Sequence, residues 1–242
     1  MDSKNKYNKL FSNKSVIGMI HLSGITENEI IQRALNELEI YTQEGVDGAI
    51  VEDYHGPAEC IWKVLKEVQK SNFNILLGVN NLGNPYSSFH SKSLGVKFIQ
   101  FDSVQTQDLH LEIYNLSREK YSDMIVLGGV GFKYTKPTGN SLEKDLEGGM
   151  SRCDAIVTTG TGTGIETPME KLIEYKKILK DFPLIVGAGV DVKNVYEQLQ
   201  IADGAIVGSS FKPNKNTRFP VDRYLVRELI NIVMDIRKNI KK

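Results

Sequence analysis

Eight short apolar runs separated by amphipathic stretches, a sequence rhyme returning about every fifty residues, and glycine-rich ends on the last two runs predict an α/β protein: a single-domain (β/α)8 barrel. The 242-residue length suits one such barrel, which typically takes about 250 residues. The runs cover 16–22, 47–53, 74–80, 96–102, 123–128, 154–160, 183–189 and 203–209. They are continuously apolar rather than alternating, as strands buried on both faces require, and a parallel sheet covered by helices buries both faces.

The rhyme links alternate runs: Asp47-Gly-Ala-Ile-Val51, Val96-Lys-Phe-Ile-Gln100, Asp154-Ala-Ile-Val-Thr158 and Asp203-Gly-Ala-Ile-Val207. Each repeat is two βα units, and four such quarters argue for closure. An open doubly wound sheet would share the pattern and is the competing architecture. Between the runs, 27–43 places Ile30, Ile31, Ala34, Leu35 and Leu38 on one helical face, and 167–180 reads as a second clear helix. Gly45 and Gly95 stand where helix C′ caps would. Residues 1–14 read as a polar, solvated N-terminal extension and 15–242 as the barrel, with the basic end Arg237-Lys-Asn-Ile-Lys-Lys242 closing a last helix in accord with its dipole.

Thirty basic and thirty acidic side chains cancel, so the overall charge footprint of a nucleic-acid binder is missing. The two cysteines, Cys60 and Cys153, lie far apart in no metal-ligand spacing, which predicts neither a zinc site nor a disulfide and fits a cytoplasmic location. No run of 18 apolar residues occurs, so no integral membrane segment is expected. No cofactor is expected either, and homo-oligomer formation is allowed but not specified.

In such a barrel the chemistry sits at the C-terminal strand ends. There the chain places His21, Glu52, Asn80, Gln100, Asp102, Thr158 with Thr159, Gly187, Gly189 and Gly208 to Ser210, with Lys133 just past the fifth run. His21 can serve as acid, base or hydrogen-bond donor, or merely pin a loop. Glu52 and Asp53 alternate across the strand, so only one of them faces the mouth. Asp102 can partner Glu52 or Lys133 there, or form a structural salt bridge. Lys133 follows Gly128-Gly-Val-Gly and can clamp an anion or, if desolvated, act as a nucleophile or proton carrier. The stretch 135–140 reads as a mobile loop or lid.

Gly187-Ala-Gly189 and Gly208-Ser-Ser210 form the phosphate cup expected after strands seven and eight, with Lys212 neutralising the anion, as in ribulose-phosphate-binding barrels. The catalytic set is therefore His21, Glu52, Asp102 and Lys133. The ligand-binding set is Asn80, Gln100, Thr158, Gly187, Gly189, Gly208, Ser209, Ser210 and Lys212. Tight turns whose glycines only permit close packing are the plain alternative. The first strand has a lone His21 rather than a His-x-His pair, and no metal site is expected. Asp47, Asp123, Asp154 and Asp203, at the opposite strand ends, read as turn caps.

Val16-Ile-Gly-Met-Ile-His-Leu22, Gly45-Val-Asp-Gly-Ala-Ile-Val-Glu-Asp53, Leu77-Gly-Val-Asn80, Val186-Gly-Ala-Gly-Val190, Gly204-Ala-Ile-Val-Gly-Ser-Ser-Phe-Lys212 and Pro220-Val-Asp222, in that order, resemble the BtpA/SgcQ family. The resemblance runs from about residue 16 to 230 and implies a TIM barrel. The family takes its name from a cyanobacterial factor needed for photosystem I accumulation and also occurs in non-photosynthetic organisms, in some beside sugar-utilisation genes. The family's Arg-Asn-Asp run after strand three is replaced here by Gly83-Asn84-Pro85, and its strand-four arginine by Gln100. Its Asp…Lys-His-Ala pattern around strand five is replaced by Gly129…Lys133-Tyr134-Thr135. His21, Glu52, Asn80 and Lys133 are retained, so the resemblance implies a diverged substrate or activity.

Two functions follow from these residues. One is an enzyme (lyase, isomerase or glycosidic-bond hydrolase) acting on a phosphorylated sugar or nucleoside-like small molecule. The other is a non-catalytic barrel that sequesters a metabolite or helps a membrane complex assemble.

Overall fold

Side-chain parity along each strand decides what fills the barrel. Ile17, Met19, Ile50, Phe98, Leu127, Val157, Ile185 and Ile206 belong to one buried cluster, the barrel interior. The residues between them, such as Val16, Val51, Ile99 and Val186, belong to a larger cluster shared with the surrounding helices. Both sets are apolar because both faces of the sheet are covered, which explains the unbroken apolar runs.

The computed structural model describes residues 3–11, 13–71 and 73–240. Among them, eight parallel strands close in sequence order into one barrel, which excludes the open sheet. The strands are β1 (Ser15–His21), β2 (Gly48–Glu52), β3 (Leu76–Asn80), β4 (Phe98–Phe101), β5 (Ile125–Gly129), β6 (Ala155–Thr159), β7 (Leu184–Gly187) and β8 (Gly204–Val207). The helices are α1 (Ser3–Leu10), α2 (Glu27–Glu44), α3 (Glu59–Gln69), α4 (Leu111–Lys120), α5 (Leu142–Met150), α6 (Met169–Leu179), α7 (Val195–Ile201) and α8 (Arg223–Ile240). Between β3 and β4 the chain forms a 3-10 segment, Pro85–Leu94, instead of an α-helix. Pro85 starts it, and its serine-rich sequence offers hydroxyls that bond backbone carbonyls locally, as Ser87, Ser91 and Ser93 do.

Helix ends follow their sequence signals. Thr26 and Glu29 form a capping box at the start of α2, and Gly45 ends that helix with φ 79°. Gly95 ends the 3-10 segment in the same left-handed conformation.

The four-quarter rhyme has a physical meaning. In three quarters an aspartate on the second strand accepts the backbone N–H opposite it on the first: Asp47 from Val16 (2.7 Å), Asp154 from Val126 (2.8 Å) and Asp203 from Leu184 (2.8 Å). The same residues donate their own N–H to the carbonyl of that partner. In the remaining quarter Lys97 keeps only the backbone bond, to Leu77. Asp123 is different, pairing with Lys92 at the surface. Asp203→Ala is therefore expected to cost about 1–3 kcal/mol, because it strands a strand-end N–H. Asp123→Ala should cost at most about 1 kcal/mol. Urea unfolding of the two variants checks the contrast.

The described part of the N-terminal stretch is not a solvated extension. The α1 helix carries Tyr7, 1% exposed, and is followed by Phe11, 4% exposed, which pack in the barrel interior against Phe98. Tyr7 also exchanges a hydrogen bond with Ser15 Oγ (2.6 Å). Lysines hid this short amphipathic helix, since two aromatic rings suffice to seal a barrel floor. At the other end, Arg237 is tied to the carbonyls of Asn13 and Lys14 and to Asp47, so α8 closes on the start of β1. Lys241 and Lys242 of the basic end lie outside the described residues.

Candidate functional site

The strand ends converge on one cavity. Parity brings His21, Glu52 and Gln100 to its wall from β1, β2 and β4, and Lys133 from the loop after β5. The rest of the wall comes from Thr159 of β6, from Gly187 and Gly189 at the end of β7, and from Gly208 and Ser209, which follow β8 beside β1. The glycines make room: a Cβ on Gly208 would lie 2.8 Å from His21 Cε1. Ala188, between two glycines, is held at φ 62°, a left-handed conformation that costs a non-glycine residue roughly 1–2 kcal/mol.

Glu52 is the centre of the polar wall. Its side chain is buried, and Asn80 Nδ2 donates to Glu52 Oε1 at 2.8 Å and to Asp102 Oδ1 at 3.0 Å. Gln100 Nε2 donates to the same Asp102 oxygen at 2.9 Å. Asn80 and Asp102 thus stand behind the wall and orient Glu52 and Gln100, and the amide of Asn80, not a direct contact, links the two carboxyl groups. Burial, then the repulsion of Asp102, pushes the Glu52 carboxyl up to about 8, against the pull of Lys133 and Asn80. At neutral pH Glu52 is a carboxylic acid.

His21 Nε2 lies 3.6 Å from Glu52 Oε2. Burial lowers the imidazole well below its ordinary value, and the positive charges of Lys212 and Lys133 lower it further. A neutral acid therefore faces a neutral base, and the contact is not an ion pair. The separation exceeds a hydrogen bond, leaving each group's proton chemistry for a third atom. Among the described residues no three His, Cys, Asp or Glu side chains converge as metal ligands would.

Besides Asn80, three expected ligand contacts fall elsewhere. Lys212 is 1% exposed, and its ammonium donates to Glu37 Oε1 (3.3 Å) and to the Phe219 carbonyl (3.1 Å), behind the cavity wall. Glu37 also accepts from Arg33 and from the Val221 N–H, so Lys212 belongs to a buried structural ion pair and not to the cup. Thr158 takes the outward parity beside Tyr175 of α6, and its neighbour Thr159 faces the cavity. Ser210 lines a groove toward α8 instead of the mouth, where Ser209 stands.

Other functional neighbours carried little sequence signal. Thr163 Oγ1 meets the hydroxyl of Tyr54 from the β2 loop (3.0 Å) and that of Tyr134 from the β5 loop (3.3 Å). The Thr163 N–H also donates to Tyr134 (3.0 Å), so three βα loops meet on one threonine above the mouth. Tyr134 sits at φ 63°. Thr138 and Asn140 both hydrogen-bond the Asp145 carboxylate, which pins the 135–140 stretch. In the sequence, Gly162-Thr-Gly164 sets a lone hydroxyl between two glycines, a pattern too simple to announce this contact. Thr163→Val removes two hydrogen bonds, and amide exchange in 131–138 is expected to accelerate about tenfold with the melting temperature little changed.

The fold defines a TIM barrel, and its polar mouth lies at the C-terminal strand ends, the face on which such barrels carry their active sites. The sequence profile of the BtpA family matches residues 12–235, and the chain belongs to that family. An uncharacterised protein of Pyrococcus furiosus is 28% identical over 92% of this chain and 95% of its own length. The photosystem I biogenesis protein BtpA of Synechocystis is 27% identical over 91% of this chain and 88% of its own. Among solved structures, a chain of the tryptophan synthase complex from P. furiosus superposes with a TM-score of 0.67 at 17% identity, covering 91% of this chain and 99% of that one. The N-(5'-phosphoribosyl)anthranilate isomerase of P. furiosus gives 0.60 at 17% identity over 92% and 99%. These likenesses carry the fold. No helix among the described residues is long and apolar enough to cross a membrane.

Proposed function

We propose that the protein is an enzyme that uses Glu52 as a general acid on a phosphate-bearing small molecule, a phosphorylated sugar or nucleoside-like compound, with His21 as the paired base. The observation that carries this reading is the geometry of Glu52 at the C-terminal strand ends: its carboxyl is buried, accepts from Asn80 Nδ2 at 2.8 Å and lies 3.6 Å from the His21 imidazole, and burial pushes it up to about 8. Holding an acid protonated at neutral pH disfavours its charged form, and such shifts cluster where a proton must be delivered. Asn80 fixes the direction of Glu52, and Lys133 stands close enough to stabilise negative charge that develops as a bond to oxygen breaks or an enediol forms. Lyase, isomerase and glycosidic-bond hydrolase chemistry share that need. Gly187, Gly189, Gly208 and Ser209 supply a wall of small residues where a phosphate can approach the backbone. The phosphoribosyl substrate in the name of one structural neighbour supports the ligand class.

The name of the Synechocystis relative favours a second reading, an assembly role that needs no turnover. Identification by native mass spectrometry of the small molecule carried by the purified protein, followed by incubation with fresh compound, separates the two. A phosphorylated metabolite that is consumed supports the enzyme. A compound that binds and survives prolonged incubation contradicts it.

A further inference from the structure

The space above Glu52 and His21 encloses only ≈ 40 Å3, room for a few waters and far less than a sugar needs. Beside it, between the loops after β5 and β6, lies a chamber of ≈ 420 Å3, within the size range of small-ligand pockets. Phe132, Lys133 and Thr159 line both spaces, so the chamber is the annex into which the bulk of a ligand reaching Glu52 extends. Thr159 fixes this partition by accepting the Lys133 N–H at 2.6 Å.

The chamber has an unbalanced charge. Lys133, Lys136 and Lys171 line it, against the single carboxylate of Asp145. That carboxylate is already engaged by Thr138 and Asn140. Lys171 is half-buried and donates to the carbonyls of Gly131 and Thr159, both at 2.7 Å. Among the described residues none of the three ammonium groups has a carboxylate within 4.0 Å, although acidic and basic groups are equal in number over the whole chain. Lys171 stands on the first turn of α6, near the positive end of a helix dipole, and burial lowers its ammonium from the ordinary lysine value; an anion there would offset both effects.

We infer that the β5–β6 chamber is an anion subsite, lined by Lys133, Lys136 and Lys171, that takes a phosphate or carboxylate group of the ligand. With Lys212 committed to Glu37, these lysines supply the cationic charge on the β5–β6 side of the mouth. That the anion is part of a substrate rests on the acid/base reading above, whereas anion binding in the chamber does not.

The test is titration of inorganic phosphate into the 15N-labelled protein, followed by amide shifts. Saturable shifts at Phe132, Lys133 and Thr161 are expected, weakened at least tenfold by Lys136→Glu, an exposed site whose change leaves the fold intact. Lys171→Gln should weaken them similarly, and Lys66→Glu on α3, an equal change of net charge, less than twofold. Shifts confined to Gly187–Gly189 and Gly208–Ser209 would overturn the chamber inference and leave the proposed function standing. Chamber shifts with none at β7 and β8 would support the chamber and remove the small-residue cup from the proposed function. Equal losses in Lys136→Glu and Lys66→Glu, or no saturable shift anywhere, would overturn the inference.

Discussion

Glu52→Gln is expected to make the protein more stable at neutral and alkaline pH while removing turnover. The carboxyl titrates near 4.5 in the unfolded chain and at about 8 in the barrel. With the folded value raised, the wild type keeps its full stability below pH 4.5. It loses stability as pH rises to about 8, because the unfolded chain ionises first. The loss reaches on the order of 5 kcal/mol at about 1.4 kcal/mol per unit. Glutamine cannot ionise in either state and keeps an oxygen for Asn80 to bond. The variant's gain should therefore be near zero at pH 4, grow through neutrality and level off above pH 8. Denaturant unfolding across this range checks it. Wild-type turnover should decline above pH 8 as the acid form is lost, and the variant should show little at any pH. Greater stability with less activity distinguishes a strained functional acid from a packing residue, whose replacement would lower both.

Lys212→Met is expected to cost about 3–5 kcal/mol of stability, since it leaves Glu37 buried with part of its compensation gone. Glu37 Oε2 already lacks a hydrogen-bond partner, so the site has little reserve. The same variant should bind inorganic phosphate within twofold of wild type. A tenfold weaker phosphate affinity with unchanged unfolding would mean that Lys212 reaches the ligand after all.

The misplacement of Lys212 shows what a sequence carries and what it does not. The position of β8 and its glycine-rich end were legible, because an unbroken apolar run that stops in small residues is a local signal. The direction of Lys212 was not, because the partner that captures it, Glu37, lies 175 positions away on α2. Thr158 and Thr159 show the same limit at closer range: both end an apolar run, and only closure of the barrel decides which faces inward. Glu52 and His21 were legible as strand-end polar residues. Their neutral charge states were not, because these arise from burial and from Asp102, Lys133 and Lys212, brought in by other strands and loops. The latch of Tyr54, Tyr134 and Thr163 depends on three loops meeting, which no spacing announces. The four-quarter rhyme was the most informative pattern, and its aspartates proved to join strand pairs by side-chain acceptance of a backbone N–H.

The account turns on a protonated Glu52. Titration of the 13C-labelled glutamate side chains by NMR, with Glu52→Gln to assign the resonance, measures that proton directly. A Glu52 carboxyl that titrates near pH 8, with the other glutamates in the ordinary range or below, is the predicted result. A Glu52 resonance that titrates near 4.5 would mean the group is an ordinary carboxylate at neutral pH, and the general-acid assignment would be wrong.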